Sequence, residues 1–143
     1  MNYAKIGAVF FILWGLLHIL GGGAILIAVG ESPAQGFAVY QESSAAYTEI
    51  AGSILGYLAY SFVWIAIVVT VIGVRYNWQN SQNGLALNTA LVGLTDLGLI
   101  IFLVLPGFVS WGEAAPGLVL FAGGALFGGI ACQSAHSAVA TAS

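Results

Sequence analysis

The chain has 143 residues, of which 60% are hydrophobic and 5% are charged, and its net charge is −3. Soluble domains carry roughly 25% charged residues, so this chain cannot cover a water-facing surface. Its two basic residues exclude the clustered Lys and Arg of a nucleic-acid-binding protein, and its single cysteine excludes a Cys-x-x-Cys redox pair. The composition therefore predicts an integral membrane protein that associates with the lipid bilayer and binds no nucleic acid.

Four apolar segments are each long enough to cross a membrane, which takes about 20 residues. The predicted spans are residues 6–29, 50–73, 85–105 and 117–137. A helix satisfies its backbone hydrogen bonds within one segment, as lipid requires, and no segment has the alternating pattern of a membrane β-barrel. We therefore predict an all-α integral membrane fold. It is a single membrane domain over residues 1–143, with four transmembrane helices in an up-down-up-down bundle.

The two basic residues predict the orientation. Lys5 precedes the first span and Arg75 follows the second, so an even number of crossings puts both on one side. Because cytoplasmic loops carry an excess of Lys and Arg, we expect both termini to be cytoplasmic. The sequence thus predicts a multi-pass protein of a plasma membrane or a bacterial inner membrane.

The first loop has the features of a helix start. Ser32 can cap a helix, Pro33 suits its first position, and Gln35 lies where a capping box places Glu or Gln. Aromatic residues then recur at helical spacing up to Tyr47. We predict a short amphipathic helix over residues 33–47, between spans 1 and 2, lying in the membrane interface. A loop with scattered aromatic residues is the alternative.

Small residues mark the expected helix contacts, since lipid supplies no hydrophobic drive for association. The residues predicted to pack are Ala8, Gly15 and Gly22 in span 1, Gly52 and Gly56 in span 2, and Gly124 and Gly128 in span 4. Four short helices have more such faces than one compact bundle needs. We therefore expect a homo-oligomer, or association with other membrane subunits.

Two ionisable side chains lie near the middle of their spans. His18 is in span 1 and Asp96 in span 3, and these two spans run in the same direction in the predicted topology. Span 2 brings Tyr60 and Ser61 to the same level, and Trp14 lies one turn from His18 on the same face. These five residues form the predicted binding or proton-relay site.

Two interpretations of this polar layer stay open. Intramembrane ionisable groups often mark proton or ion pathways, and a charge at the helix centre costs roughly 2.5–3.5 kcal/mol. A hydrogen-bonded clamp between helices gains only about 0.6 kcal/mol on average, so an expensive acid favours a functional role. The scarcity of other polar residues in the spans favours the clamp instead.

No motif predicts catalysis, a cofactor or a metal site. One His and one Asp are an incomplete ligand set for a metal ion. The leading hypothesis is a non-enzymatic membrane protein that acts as an oligomeric or accessory subunit of a membrane assembly. The alternative is a small proton-coupled transporter or channel that uses His18 and Asp96.

Overall fold

The computed structural model describes residues 2–31 and 45–140, with side chains described at 2–31 and 51–135. The long helices are α1 (Tyr3–Glu31), α2 (Ala45–Arg75), α3 (Gln82–Leu99) and α4 (Trp111–Ala140). A short 3₁₀ helix, Asn77–Gln79, joins α2 to α3, and a π-helical turn, Ile100–Val104, follows α3 directly. Within the described ranges there is no β-strand.

Four of the helices in the described part of the chain are long and apolar enough to cross a membrane. This confirms the predicted all-helical fold and indicates a membrane protein. Of the amphipathic helix predicted at 33–47, residues 33–44 lie outside the described residues. Residues 45–47 form the first turn of α2.

The start of α4 differs from the predicted start of span 4. Helix α4 begins at Trp111, and Pro116 lies inside it. Ser110 and Glu113 form a reciprocal capping box. The Ser110 backbone N–H donates to Glu113 Oε2 at 2.8 Å, and the Glu113 N–H donates to Ser110 Oγ at 3.3 Å. These bonds satisfy backbone donors of the first turn, so the helix starts before the proline.

Helix α3 continues into the π-helical turn Ile100–Val104, which begins four residues after Asp96. The Leu105 N–H donates to the Ile100 carbonyl, five residues earlier, as in a π-helix. Gly107, with φ of 85°, then ends the helical segment, and its N–H donates to the Val104 carbonyl. Glycine adopts this left-handed conformation without the strain that a Cβ would add.

The chain forms two compact units. The first unit comprises Met1–Gly15 and Val68–Ser143, and the second comprises Leu16–Ile67. Helices α1 and α2 each contribute residues to both units.

Close helix contacts in the first unit occur at glycines. A Cβ added at Gly7 of α1 would lie 2.7 Å from the backbone nitrogen of Gly128 in α4. The ring of Phe11 packs on Gly124, and the side chain of Leu85 in α3 packs on Gly128. With no side chain between them, the α1 and α4 backbones approach directly, which maximises dispersion contacts.

The second unit packs α1 against α2 in the same way. A Cβ at Gly22 would lie 2.8 Å from Val63 Cγ2 and 3.3 Å from the Ala59 carbonyl oxygen. A Cβ at Gly56 would lie 2.9 Å from Val29 Cγ1. The other small residues named from the sequence, Ala8, Gly15 and Gly52, are buried.

Candidate functional site

The buried face of α3 carries the polar groups of the first unit. Its buried residues are Gly84, Asn88, Val92 and Asp96. Residues four apart lie on one face of a helix, so these four form a line along α3. Two of the four, Asn88 and Asp96, have hydrogen-bonding side chains.

One carboxyl oxygen of Asp96 accepts a hydrogen bond, and the other has no partner among the described residues. The residue is 2% exposed, and Trp14 Nε1 donates to its Oδ1 at 3.3 Å. In the described part of the chain, Asp96 Oδ2 has no hydrogen-bond partner. An acceptor-only oxygen in this position can take up a proton or receive a bond from water.

Trp14 is fully buried on α1 and belongs to the same unit as Asp96. Its indole N–H is a donor only, and a buried indole usually finds an acceptor. The bond to Asp96 therefore satisfies the indole and orients one carboxyl oxygen towards α1. It joins positions 82 residues apart in the chain.

Asn88 lies two turns before Asp96 and is fully buried. Its Nδ2 donates to the Val69 carbonyl oxygen at 3.2 Å, which links α3 to α2. Its Oδ1 has no hydrogen-bond partner among the described residues. Asn88 thus repeats the pattern of Asp96, with one polar atom bonded to a neighbouring helix and one left over.

The α2–α3 connection forms a second polar cluster. Asn77 is 6% exposed, and neither its Nδ2 nor its Oδ1 has a hydrogen-bond partner in the described ranges. Asn80 has a left-handed backbone with φ of 60°; its Nδ2 donates to the Ala131 carbonyl oxygen at 3.3 Å, and its Oδ1 lies 3.6 Å from Cys132 Sγ. This cluster ties the connection to α4.

A small cavity lies beside this connection. It is lined by Asn77, Asn80, Ser81 and Cys132, together with apolar residues of α1, α3 and α4. The centre of a water molecule can move through about 10 Å³ of it, close to the minimum for one water. Ser81 Oγ accepts a hydrogen bond from the Gly84 N–H, so the cavity adjoins the start of the buried face of α3.

The residues of the polar layer predicted from the sequence belong to different compact units. Trp14 and Asp96 are in direct contact in the first unit. His18, Tyr60 and Ser61 belong to the second unit, where His18 is half-buried and Tyr60 is 53% exposed. The pairing of His18 with Asp96 stays a prediction.

Tyr60 and Ser61 make local contacts on their own helix. The Tyr60 ring meets the Trp64 ring edge-on, with 6.2 Å between centroids. The Ser61 hydroxyl donates to the Tyr57 carbonyl oxygen at 3.0 Å, one turn earlier. Serine often donates to a carbonyl of its own helix in this way, and the Ser61 hydroxyl then has no hydrogen left to donate to another group.

Asn77 and Asn88 were not predicted as site residues. Both are uncharged, so placing them in a membrane costs less free energy than placing an aspartate there, and they are weaker indicators of a functional site. The available signal was spacing, since Asn88 lies eight residues before Asp96 and therefore shares its face. Asn77, in a polar connection, had no such signal.

No group of three or more metal-ligating His, Cys, Asp or Glu side chains occurs among the described residues. Comparisons with protein-family models, curated proteins and solved structures found no match.

Proposed function

We propose that this protein is a small proton-linked transporter or channel in which the Asp96 carboxyl binds and releases the proton. The observation that carries the proposal is the unpartnered Oδ2 of a buried carboxyl, beside an Oδ1 held by Trp14. An intramembrane acid is by default a candidate for a proton pathway. Asp96 can gain or lose a proton, whereas the amide of Asn88 can only orient a donor or acceptor.

The magnitudes favour proton binding over a purely structural clamp. An interhelical hydrogen bond such as that from Trp14 to Asp96 contributes about 0.6 kcal/mol on average. A buried acceptor without a partner costs about 1–3 kcal/mol. A clamp built for stability would need only one acceptor, and a serine hydroxyl would supply it while donating its own hydrogen to a carbonyl of its helix. The second oxygen therefore costs more than the clamp gains, which is consistent with a functional role.

The orientation remains the one proposed from the sequence, an up-down-up-down bundle with cytoplasmic termini. Supporting it, Lys5 Nζ lies 5.4 Å from the centre of the Trp78 ring, so the start of α1 and the α2–α3 connection share one end of the first unit. Arg75 precedes this connection directly. Both basic residues then fall on one side, which the positive-inside rule makes cytoplasmic.

The test is proton flux into liposomes that contain the purified protein, measured with an internal pH-sensitive dye. Asp96→Asn is expected to lower the flux at least tenfold, because the amide cannot bind and release a proton near neutral pH. This variant keeps an acceptor for the Trp14 indole, so folding is preserved. The matched control is Thr95→Val, since the Thr95 hydroxyl donates only to Leu91 of its own helix.

The control is expected to retain the parent flux within twofold. Absence of flux in the parent protein under an imposed pH gradient would remove the proposed function. Flux that survives Asp96→Asn unchanged would remove Asp96 from the pathway.

A second candidate is the non-enzymatic accessory or oligomeric subunit. The observation that favours it is an open stretch of backbone on α3, because a Cβ at Gly98 would meet no atom within 4 Å. Helices in membranes use such faces for close approach. On this proposal the protein in native-lipid discs has the mass of a dimer or larger assembly, and Gly98→Leu shifts it to the 14.7 kDa monomer. A monomeric mass for the parent would exclude the homo-oligomer.

A further inference from the structure

Three buried side chains of the first unit have polar atoms without partners. They are Asn77 with both amide atoms, Asn88 with Oδ1, and Asp96 with Oδ2, within the part of the chain that the structure describes. Their exposures are 6%, 0% and 2%. Buried polar groups are almost always hydrogen-bonded to protein or to ordered water, so three such groups in one unit need an explanation.

The three groups follow one another along the first unit. A Cβ added at Gly84 would lie 2.6 Å from Asn77 Oδ1, so the Asn77 amide adjoins the first residue of the buried α3 face. Asn88 and Asp96 continue that face, with Val92 between them. At 1.5 Å rise per residue, Asn88 lies about 6 Å and Asp96 about 18 Å beyond Gly84 along the helix axis.

The water-sized cavity is at the Asn77 end of this line. Asn77, Asn80 and Cys132 line it, and so does Leu85, which follows Gly84. Lys5, above the ring of Trp78, lies at the same end of the unit. A polar cavity that is just large enough for one water and has several hydrogen-bonding groups is the kind of site that holds an ordered water.

We propose that this cavity is the hydrated entrance through which protons reach Asp96, and that Asn88 is a positioning residue for the waters between them. The inference rests on the proposed proton-linked function and assigns it an access side, the end that carries Lys5 and the α2–α3 connection. Water in the cavity bonds to the Asn77 amide, and the Asn88 Oδ1 accepts a bond from the next water inward.

A proton delivered along these waters binds the Asp96 carboxylate at Oδ2 and forms the neutral carboxyl. The amides of Asn77 and Asn88 orient water and are unchanged, because a carboxamide does not take up a proton near neutral pH. Val92 offers no hydrogen bond, so on this proposal the roughly 12 Å along the axis from Asn88 to Asp96 must be crossed by water that enters between the helices.

The native cysteine provides the first test, because Cys132 lines the cavity and is the single cysteine of the chain. Thiol reagents attack the thiolate, which forms in water and not in lipid. The probe is 2-aminoethyl methanethiosulfonate, applied to the protein in liposomes, with modification followed by mass. The matched control is Gly129→Cys in a Cys132→Ala background, because Gly129 lies one turn away with open space beside it.

Cys132 is expected to react at least tenfold faster than the control cysteine at position 129. Asn77→Leu, which replaces the amide by a side chain of similar size that cannot hold water, is expected to slow labelling of Cys132 at least fivefold. Equal rates at Cys132 and at the control would overturn the hydrated entrance. So would a rate at Cys132 that Asn77→Leu leaves unchanged.

The second test is proton flux in variants of Asn88. Asn88→Leu is expected to lower the flux at least fivefold, and Asn88→Ser, which keeps a polar group, to retain at least half of it. The matched control is Asn83→Leu, the same substitution at an exposed position of α3, which should leave the flux unchanged.

The outcomes separate the two proposals. Flux that is lost in Asp96→Asn but unaffected in Asn88→Leu keeps the proposed function and overturns the route along α3. Absence of flux in the parent overturns both. Loss of flux in Asn88→Leu and Asn88→Ser alike would show a structural role for Asn88 and would also overturn its assignment as a positioning residue.

Discussion

Replacing Trp14 by alanine is expected to lower the free energy of unfolding by about 3 kcal/mol. Trp14 is the largest of the fully buried side chains in the described part of the chain, so its truncation leaves the largest void. For tryptophan in a soluble core the loss is about 3–5 kcal/mol. We expect the lower end, because a helix that separates within lipid stays in an apolar solvent, so the loss consists of packing contacts and the hydrogen bond to Asp96.

The measurement is a denaturation series in mixed detergent micelles, followed by circular dichroism. The matched control is Trp64→Ala, because the Trp64 side chain is 52% exposed and its loss opens no cavity. We expect the control to change the free energy of unfolding by no more than about 0.5 kcal/mol. Similar losses at Trp14 and Trp64 would contradict the packing described for the first unit.

A second variant of Trp14 isolates its hydrogen bond. Trp14→Phe keeps an aromatic ring but removes the indole donor, so both oxygens of Asp96 are left without a partner. Combined with Asp96→Leu in a double-mutant cycle, it reports the coupling between the two side chains. Hydrogen bonds of this type in membranes contribute about 0.6 kcal/mol and at most about 1.7 kcal/mol. A coupling near zero would mean that the indole does not orient the carboxyl.

Gly7→Ala is expected to destabilise the first unit by about 2 kcal/mol, within the range for overpacked cores. The added methyl would lie 2.7 Å from the backbone nitrogen of Gly128 and 3.1 Å from the carbonyl oxygen of Gly124. Backbone atoms cannot move aside as a side chain can, so α1 and α4 must separate. The gain of about 1 kcal/mol from replacing a helical glycine by alanine offsets only part of this loss.

Two controls separate steric clash from helix propensity, measured by the same denaturation series. At Gly128 the added methyl would meet Leu85 Cδ1, the flexible end of a side chain, so Gly128→Ala should cost less than Gly7→Ala. At Gly129 it would meet nothing within 4 Å, so Gly129→Ala should be neutral or stabilising. A loss at Gly129 equal to that at Gly7 would contradict the close approach of α1 and α4.

The same substitution connects stability to the proposed entrance. Gly7 of α1 and Cys132 of α4 both line the cavity, so separation of these two helices widens a space that holds only one water. Gly7→Ala is therefore expected to speed the labelling of Cys132 as well as to destabilise the protein. Both the contact between α1 and α4 and the proposed access to Asp96 therefore depend on glycine at position 7.

The membrane helices and the burial of Asp96 could be predicted without coordinates, because both follow from the free energy of transferring the residues of one short segment into lipid. Hydropathy over about 20 residues predicts a membrane helix wherever it lies in the fold. The cost of an exposed charge in lipid favours an inward-facing Asp96, and in the structure this residue is buried. Helix α4 starts before the predicted span 4, which begins at residue 117, because Ser110 and Glu113 form a capping box six and three residues before Pro116.

The hydrogen-bond partner of Asp96 cannot be predicted from one segment, because it depends on how two helices face each other. His18, which is ionisable and lies at a similar depth, stays a predicted partner, and the contact that the structure describes is with Trp14, which is neutral. Depth can be read along one helix, but the direction of a side chain around the axis relative to another helix cannot. Asn77 and Cys132 meet at one cavity for a similar reason, since the α2–α3 connection and α4 meet only in the folded chain.

Hydropathy and composition predict, without coordinates, that the chain is helical and apolar enough to cross a membrane, and that one acid lies in the middle of its third span. The packing of the helices then determines that Trp14 bonds to Asp96, that one oxygen of this carboxyl has no partner among the described residues, and that Asn88 extends the same buried face towards a polar cavity. Local composition determines where a segment is stable, because transfer into lipid adds up residue by residue. Contacts between residues 82 positions apart depend on how helices pack, and here glycines let the backbones meet.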